Sequence, residues 1–152
     1  MIQRIQTLFL LVVAILMGSL YFFPIAQLFG DQQEIYEFYF NGLRLMGEEE
    51  LYVATWPTFL LLSVIVFIAF FSIFLFRKRV LQMRVNLFNI VLMLGYLGLN
   101  YFYIQNFDKQ MDGKVVYNLV AVFPIISVIF TYLAIRSIGK DEALIRSIDR
   151  IR

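Results

Sequence analysis

The side chains best placed to do chemistry are Asn86, Asn89, Met93, Tyr96, Asn100 and Tyr103, which recur every three or four positions. That spacing puts them on one face of a helix. Amides and phenols exchange hydrogen bonds without carrying charge at neutral pH. In hydrocarbon such groups need partners, so the face is expected to point into a helix bundle or at another subunit. Interhelical bonding is the heavier reading; a hydrophilic ligand path or proton route is the lighter one. No ionisable side chain accompanies the stripe, and acids or bases are the usual mark of an ion pathway.

Other chemistry is scarce. Histidine and cysteine are absent, which removes thiolate nucleophiles, Cys or His metal ligands and the near-neutral proton switch. The run Glu48-Glu49-Glu50 offers carboxylates to a divalent cation, but a solvated loop accounts for it as well. An enzyme would have to draw on Glu34 or Glu37, and no second reactive group is evident. Gly139-Lys140 lacks both the earlier glycine and the following Ser or Thr of a phosphate loop. No catalytic, metal or cofactor site is expected, and the protein is read as non-enzymatic.

The elements that carry these residues are four stretches without a charged side chain: Ile5–Gly30, Leu51–Phe76, Val85–Phe107 and Val115–Ile135. Each exceeds the roughly 20 apolar residues that cross a ~30 Å hydrocarbon core as a helix. A charge at the centre of such a helix costs about 2.5–3.5 kcal/mol on insertion scales, so its absence points to lipid. The apolar share is 61%, against roughly 45–50% in soluble domains. The 152 residues therefore read as one all-α domain, a four-transmembrane-helix bundle. Its spans are expected near 5–29, 55–76, 85–105 and 115–136, with an outer loop at 31–52. The first span continues past the length of a signal-peptide core and is read as retained.

Charge orients these spans. Ten of the thirteen Lys and Arg fall on the side of the N-terminus, including Arg77, Lys78, Arg79 and Arg84, while eight of the eleven acids fall in the far loops. The Lys/Arg bias predicts that both termini are cytoplasmic. The same four cations are expected to contact the inner leaflet rather than nucleic acid.

Within the outer loop, Asn41-Gly42 signals a β-hairpin between the first two helices, pairing Phe40 with Leu43, Tyr39 with Arg44 and Phe38 with Leu45, with an interfacial helix as the competing reading. Glu50–Ala54 either adds a strand or leads into the next helix. Thr55 is positioned to cap that helix and Pro57 to sit in its first turn, while Pro124 should kink the fourth. Ala14 and Gly18, Gly95 and Gly98, and Ala121, Ser127, Thr131 and Ala134 read as seams for close helix packing. The tail 140–152 reads as a separate cytoplasmic amphipathic helix, capped by Asp141, with Leu144, Ile145, Ile148 and Ile151 as its docking face.

The opening Met1-Ile2-Gln3-Arg4-Ile5-Gln6-Thr7, the basic inner loop and the tail from Lys140 to Arg152 resemble a domain-of-unknown-function family of small four-span inner-membrane proteins of Bacteroidota. The resemblance covers essentially the whole chain and implies a bacterial inner-membrane location with no established activity. Taken together, these features predict an accessory or scaffold subunit of a larger membrane complex, such as translocation or envelope-biogenesis machinery. Lipid and other inner-membrane subunits, or further copies of the chain, are the expected partners. The alternative is a small oligomeric carrier or channel lined by the Asn86, Asn89 and Asn100 face.

Overall fold

The computed structural model describes residues 3–30, 34–47, 50–111 and 114–149. Four helices carry the chain back and forth: α1 (Gln3–Ser19), α2 (Trp56–Phe74), α3 (Arg79–Met111) and α4 (Phe123–Asp149). Each packs against two of the others, in the cyclic order α1, α2, α3, α4. The buried positions follow helical periodicity: Gln6, Leu10, Val13, Met17 on α1; Thr58, Leu62, Ile65, Ala69, Ser72 on α2; Ser127, Thr131, Ala134, Ile138, Asp141 on α4. The outward faces are Leu, Ile, Val and Phe, with Leu60, Phe67, Val91 and Leu94 all more than half exposed.

The all-α, four-span expectation is overturned. Between the helices lie five strands: β1 (Ala26–Phe29), β2 (Ile35–Tyr39), β3 (Gly42–Leu45), β4 (Leu51–Ala54) and β5 (Lys114–Tyr117). They form one antiparallel sheet in the order β4-β3-β2-β1-β5, so the expected hairpin is only its centre. Among the described residues, three helical segments are long and apolar enough to cross a membrane: Trp56–Arg77, Arg79–Lys109 and Leu119–Ile145. α1 has 17 residues, roughly 25 Å of helix. The span expected over 5–29 divides because Pro24 disfavours helical backbone at Phe23. The last turn tightens, with Tyr21 N–H bonded to Gly18 O and Phe22 N–H to Ser19 O, and the chain re-emerges as β1.

The sheet closes one end of the helices. Ala26, Leu28, Phe38 and Leu43 are buried on its inner face, and Phe38 meets Phe107 of α3 at 6.0 Å between ring centroids. β5 ties the approach to α4 to the exit from α1: Ala26 pairs Tyr117, and Asn118 donates from its side chain to Pro24 O and from its N–H to Ile25 O.

The hairpin register differs from expectation by two residues. Phe38 pairs Leu43, Glu37 pairs Arg44 and Tyr39 pairs Gly42, so Phe40 and Asn41 form the turn. A two-residue slip preserves facing, so Phe38 and Leu43 still share one face of the hairpin and Glu37 and Arg44 the other. Gly42 is needed for a different reason than a turn. Its φ is +153°, and a Cβ there would sit 2.1 Å from Val53 O on β4.

Further readings are corrected. Thr55 makes no side-chain cap; its hydroxyl instead lies 2.7 Å from the Thr58 hydroxyl. Pro124 is the second residue of α4, preceded by a 3-10 turn, so its missing N–H falls in the first turn of the α-helix rather than in its interior. A Cβ at Gly18, Gly95 or Gly98 would meet nothing within 4 Å, so these glycines form no tight seam. α4 runs unbroken through Gly139, so there is no separate amphipathic tail helix. Asp141 is buried mid-helix, where its carboxylate accepts a hydrogen bond from Gln6 Nε2 of α1.

Gly42→Ala should lower stability by about 1–3 kcal/mol, from strain and the Val53 carbonyl together. Gly47→Ala, also at positive φ but with open space around it, should cost less. Equilibrium unfolding in detergent measures both; equal costs would remove the close-approach explanation.

Candidate functional site

The stripe on α3 lies inside the ring of helices. Asn86, Asn89, Tyr96 and Asn100 are all at most 5% exposed. Met93 is buried with them, whereas Tyr103 is half-buried and stacks on Phe107. The buried register extends the stripe in both directions, from Gln82 to Ile104 and Phe107. Gln82, one turn before Asn86, continues the same spacing and was legible by it. The seam is fastened to α2 at its basic end: Ser72 Oγ donates to Asn86 Oδ1 at 2.8 Å, and Gln82 Nε2 donates to Ser72 O at 2.9 Å.

Elsewhere the seam is not satisfied by the chain itself. Asn86 Nδ2, both polar atoms of the Asn89 amide and Ser127 Oγ are buried without a hydrogen-bond partner in the protein, and the Tyr96 hydroxyl lies against the Asn100 side chain one turn on. Tyr96 and Asn100 border a cavity of about 150 Å³ near the sheet, walled by Leu20, Ile25, Ile104 and Pro124. The arrangement can bind neutral hydrogen-bonding groups.

The four expected lipid-contact residues also come together. Arg77, Lys78, Arg79 and Arg84, from the α2–α3 turn and the start of α3, line one open basin with Val80 and Leu81. Its opposite wall is Glu142 and Ile145 of α4. Of the expected tail face, Leu144 and Ile145 are exposed, while the Ile148 side chain and Ile151 lie outside the described residues. Glu48 and Glu49 do too, and among the described residues no three metal-ligating side chains cluster.

On the outer face of the sheet, Glu37 accepts from Gln27 Nε2 at 3.2 Å and from Tyr39 OH at 3.0 Å, and the Arg44 guanidinium sits 5.1 Å from the Tyr39 ring centre. Glu34 accepts from Tyr36 OH at 2.7 Å. Both carboxylates offered for catalysis thus take part in local bonding. Burial, reinforced by the Glu37 hydrogen bond, raises the Tyr39 phenol above its ordinary 10.0.

A model of the family described as Domain of unknown function (DUF4293) matches residues 2–151. The chain belongs to that family. No curated protein matches it.

Three measurements follow from these contacts. Ser72→Ala removes a buried interhelical bond and should cost about 0.6–1.7 kcal/mol, the range for such bonds in membranes. Asn89→Leu removes no bond within the chain, so it should leave stability unchanged or raise it. Thermal unfolding in detergent compares the two, and a larger loss from Asn89→Leu would contradict the assignment. A phenol whose folded pKa is raised stabilises the fold below its unfolded pKa and loses that contribution as pH rises through the folded one. Ultraviolet titration of wild type minus Tyr39→Phe should show a transition above pH 10.0, and a midpoint at or below it would contradict the bonding described.

Proposed function

We propose that this chain is a non-enzymatic, multi-pass protein of the bacterial inner membrane that serves as an accessory or scaffold subunit of a larger membrane complex. The three long helices cross the bilayer with α1 packed alongside them. α1 runs antiparallel to α4 between the same two sides, so that the start of α1 and the late part of α4 meet on the cytoplasmic, basic side, where Gln6 bonds to Asp141.

The observation that carries this reading is the edge of the sheet. All four residues of β4, Leu51–Ala54, are exposed, and beside them Phe40, Asn41, Trp56 and Phe59 border an apolar hollow of about 220 Å³. An open edge strand next to an apolar hollow is suited to taking an extended segment from another chain by strand addition. The proposed partner is another inner-membrane subunit presenting such a segment, with a second copy of this chain as the competing occupant. Translocation or envelope-biogenesis machinery would suit such a subunit.

A second reading, a small carrier or channel, is favoured by the partnerless amide groups along α3. In that case the path would run inside the ring of helices, along Asn86, Asn89 and Asn100, and not between copies.

A photo-crosslinking residue at Tyr52, in intact membranes, should give a discrete adduct with one other protein. The same residue at Ile129, exposed at mid-helix on α4, should give none. Clean monomer from gentle detergent, with no adduct at Tyr52, would contradict the subunit reading. Solute flux in proteoliposomes that Asn89→Leu abolishes would establish the carrier instead.

A further inference from the structure

Four cations line the basin at the end of the helices opposite the sheet, and among the described residues that line it the one acid is Glu142. Like charges at this spacing repel, and sequence-neighbouring Arg77, Lys78 and Arg79 cannot move far apart. A second observation is independent of the charge count: Arg79 Nη1 is buried and has no hydrogen-bond partner in the protein. A buried guanidinium N–H without an acceptor is costly, and an oxyanion is the acceptor whose geometry it matches best.

The rest of the basin says what kind of oxyanion. The basin is broad and open rather than enclosed, and Val80, Leu81 and Ile145 add exposed apolar surface at its rim. A ligand that pairs anionic oxygens with hydrocarbon fits that lining; a free anion leaves the apolar part unused. One phosphodiester would neutralise only one of the three charges left after Glu142. Two phosphates joined in one headgroup neutralise two.

We infer that this basin is a stoichiometric site for a dianionic phospholipid, one with two phosphodiesters in its headgroup. Arg79 and Arg84 are its principal anion contacts, and Val80, Leu81 and Ile145 lie along its acyl chains. The inference rests on the membrane reading but is more specific than it, because general attraction to an anionic leaflet requires no particular basin.

Native mass spectrometry of the full chain in detergent, titrated with cardiolipin, phosphatidylglycerol or phosphatidylcholine, tests it. One cardiolipin should bind per chain, at least about five-fold tighter than phosphatidylglycerol. Arg79→Gln and Arg84→Gln should each weaken it by about five-fold, the effect of one basic residue near a lipid surface. Arg136→Gln, which removes an exposed charge of α4 outside the basin, should leave binding unchanged. Equal affinity for the two anionic lipids, or equal loss from all three substitutions, would overturn the site in favour of general surface attraction. Displacement of cardiolipin by stoichiometric pyrophosphate would overturn it in favour of a soluble anion. A chain that stayed in solution without detergent would instead sink the membrane reading beneath it.

Discussion

An inverted polarity marks the helices of this molecule: their exterior is apolar, with Leu60, Phe67, Val91 and Ile129 exposed, while Gln82, Asn86, Asn89, Asn100, Ser127 and Thr131 are buried among Leu10, Val13, Leu62, Ile65 and Met93. Water would disfavour that exterior, since apolar burial is what drives folding there. In hydrocarbon the exterior costs nothing, and the polar groups must turn inward to find partners. Close packing and interhelical bonds then hold the helices together, as Ser72 with Asn86 and Gln6 with Asp141 do at the basic end.

The same constraint explains the sheet. Where the chain leaves the apolar zone, its backbone needs hydrogen bonds that no helix supplies. β1 to β5 satisfy one another across four ladders and lay Leu28, Phe38 and Leu43 over the helix ends. The loops after α1 and before α4, distant in sequence, become one structure through Asn118 and the pairing of β1 with β5.

Helical facing was legible in the sequence because a 3.6-residue period leaves a visible stripe, as Asn86, Asn89, Tyr96 and Asn100 do. The outer strands were less so. Ala26–Phe29 and Val115–Tyr117 are uncharged and mostly apolar, and the same composition serves a membrane helix or a buried strand. Only Pro24 marked the first boundary. The hairpin turn was misplaced because Asn41-Gly42 has strong turn chemistry, whereas Gly42 is held in place by β4, a contact distant in sequence. Asp141 was misread because a helix-capping residue and a buried acceptor look identical until Gln6 is brought beside it. The clustering of Arg77, Lys78, Arg79 and Arg84 was visible, but its opposite wall on α4 was not.

Spin labels in lipid bilayers would test the inverted polarity most directly, read by relaxation from oxygen, which enriches in hydrocarbon, and from a water-soluble nickel chelate. Labels at Phe67, Val91 and Ile129 should respond strongly to oxygen and weakly to nickel, while a label at Glu37 on the sheet should show the reverse. Strong nickel relaxation at all three helical positions would mean that water covers the apolar faces, contradicting a lipid-solvated exterior.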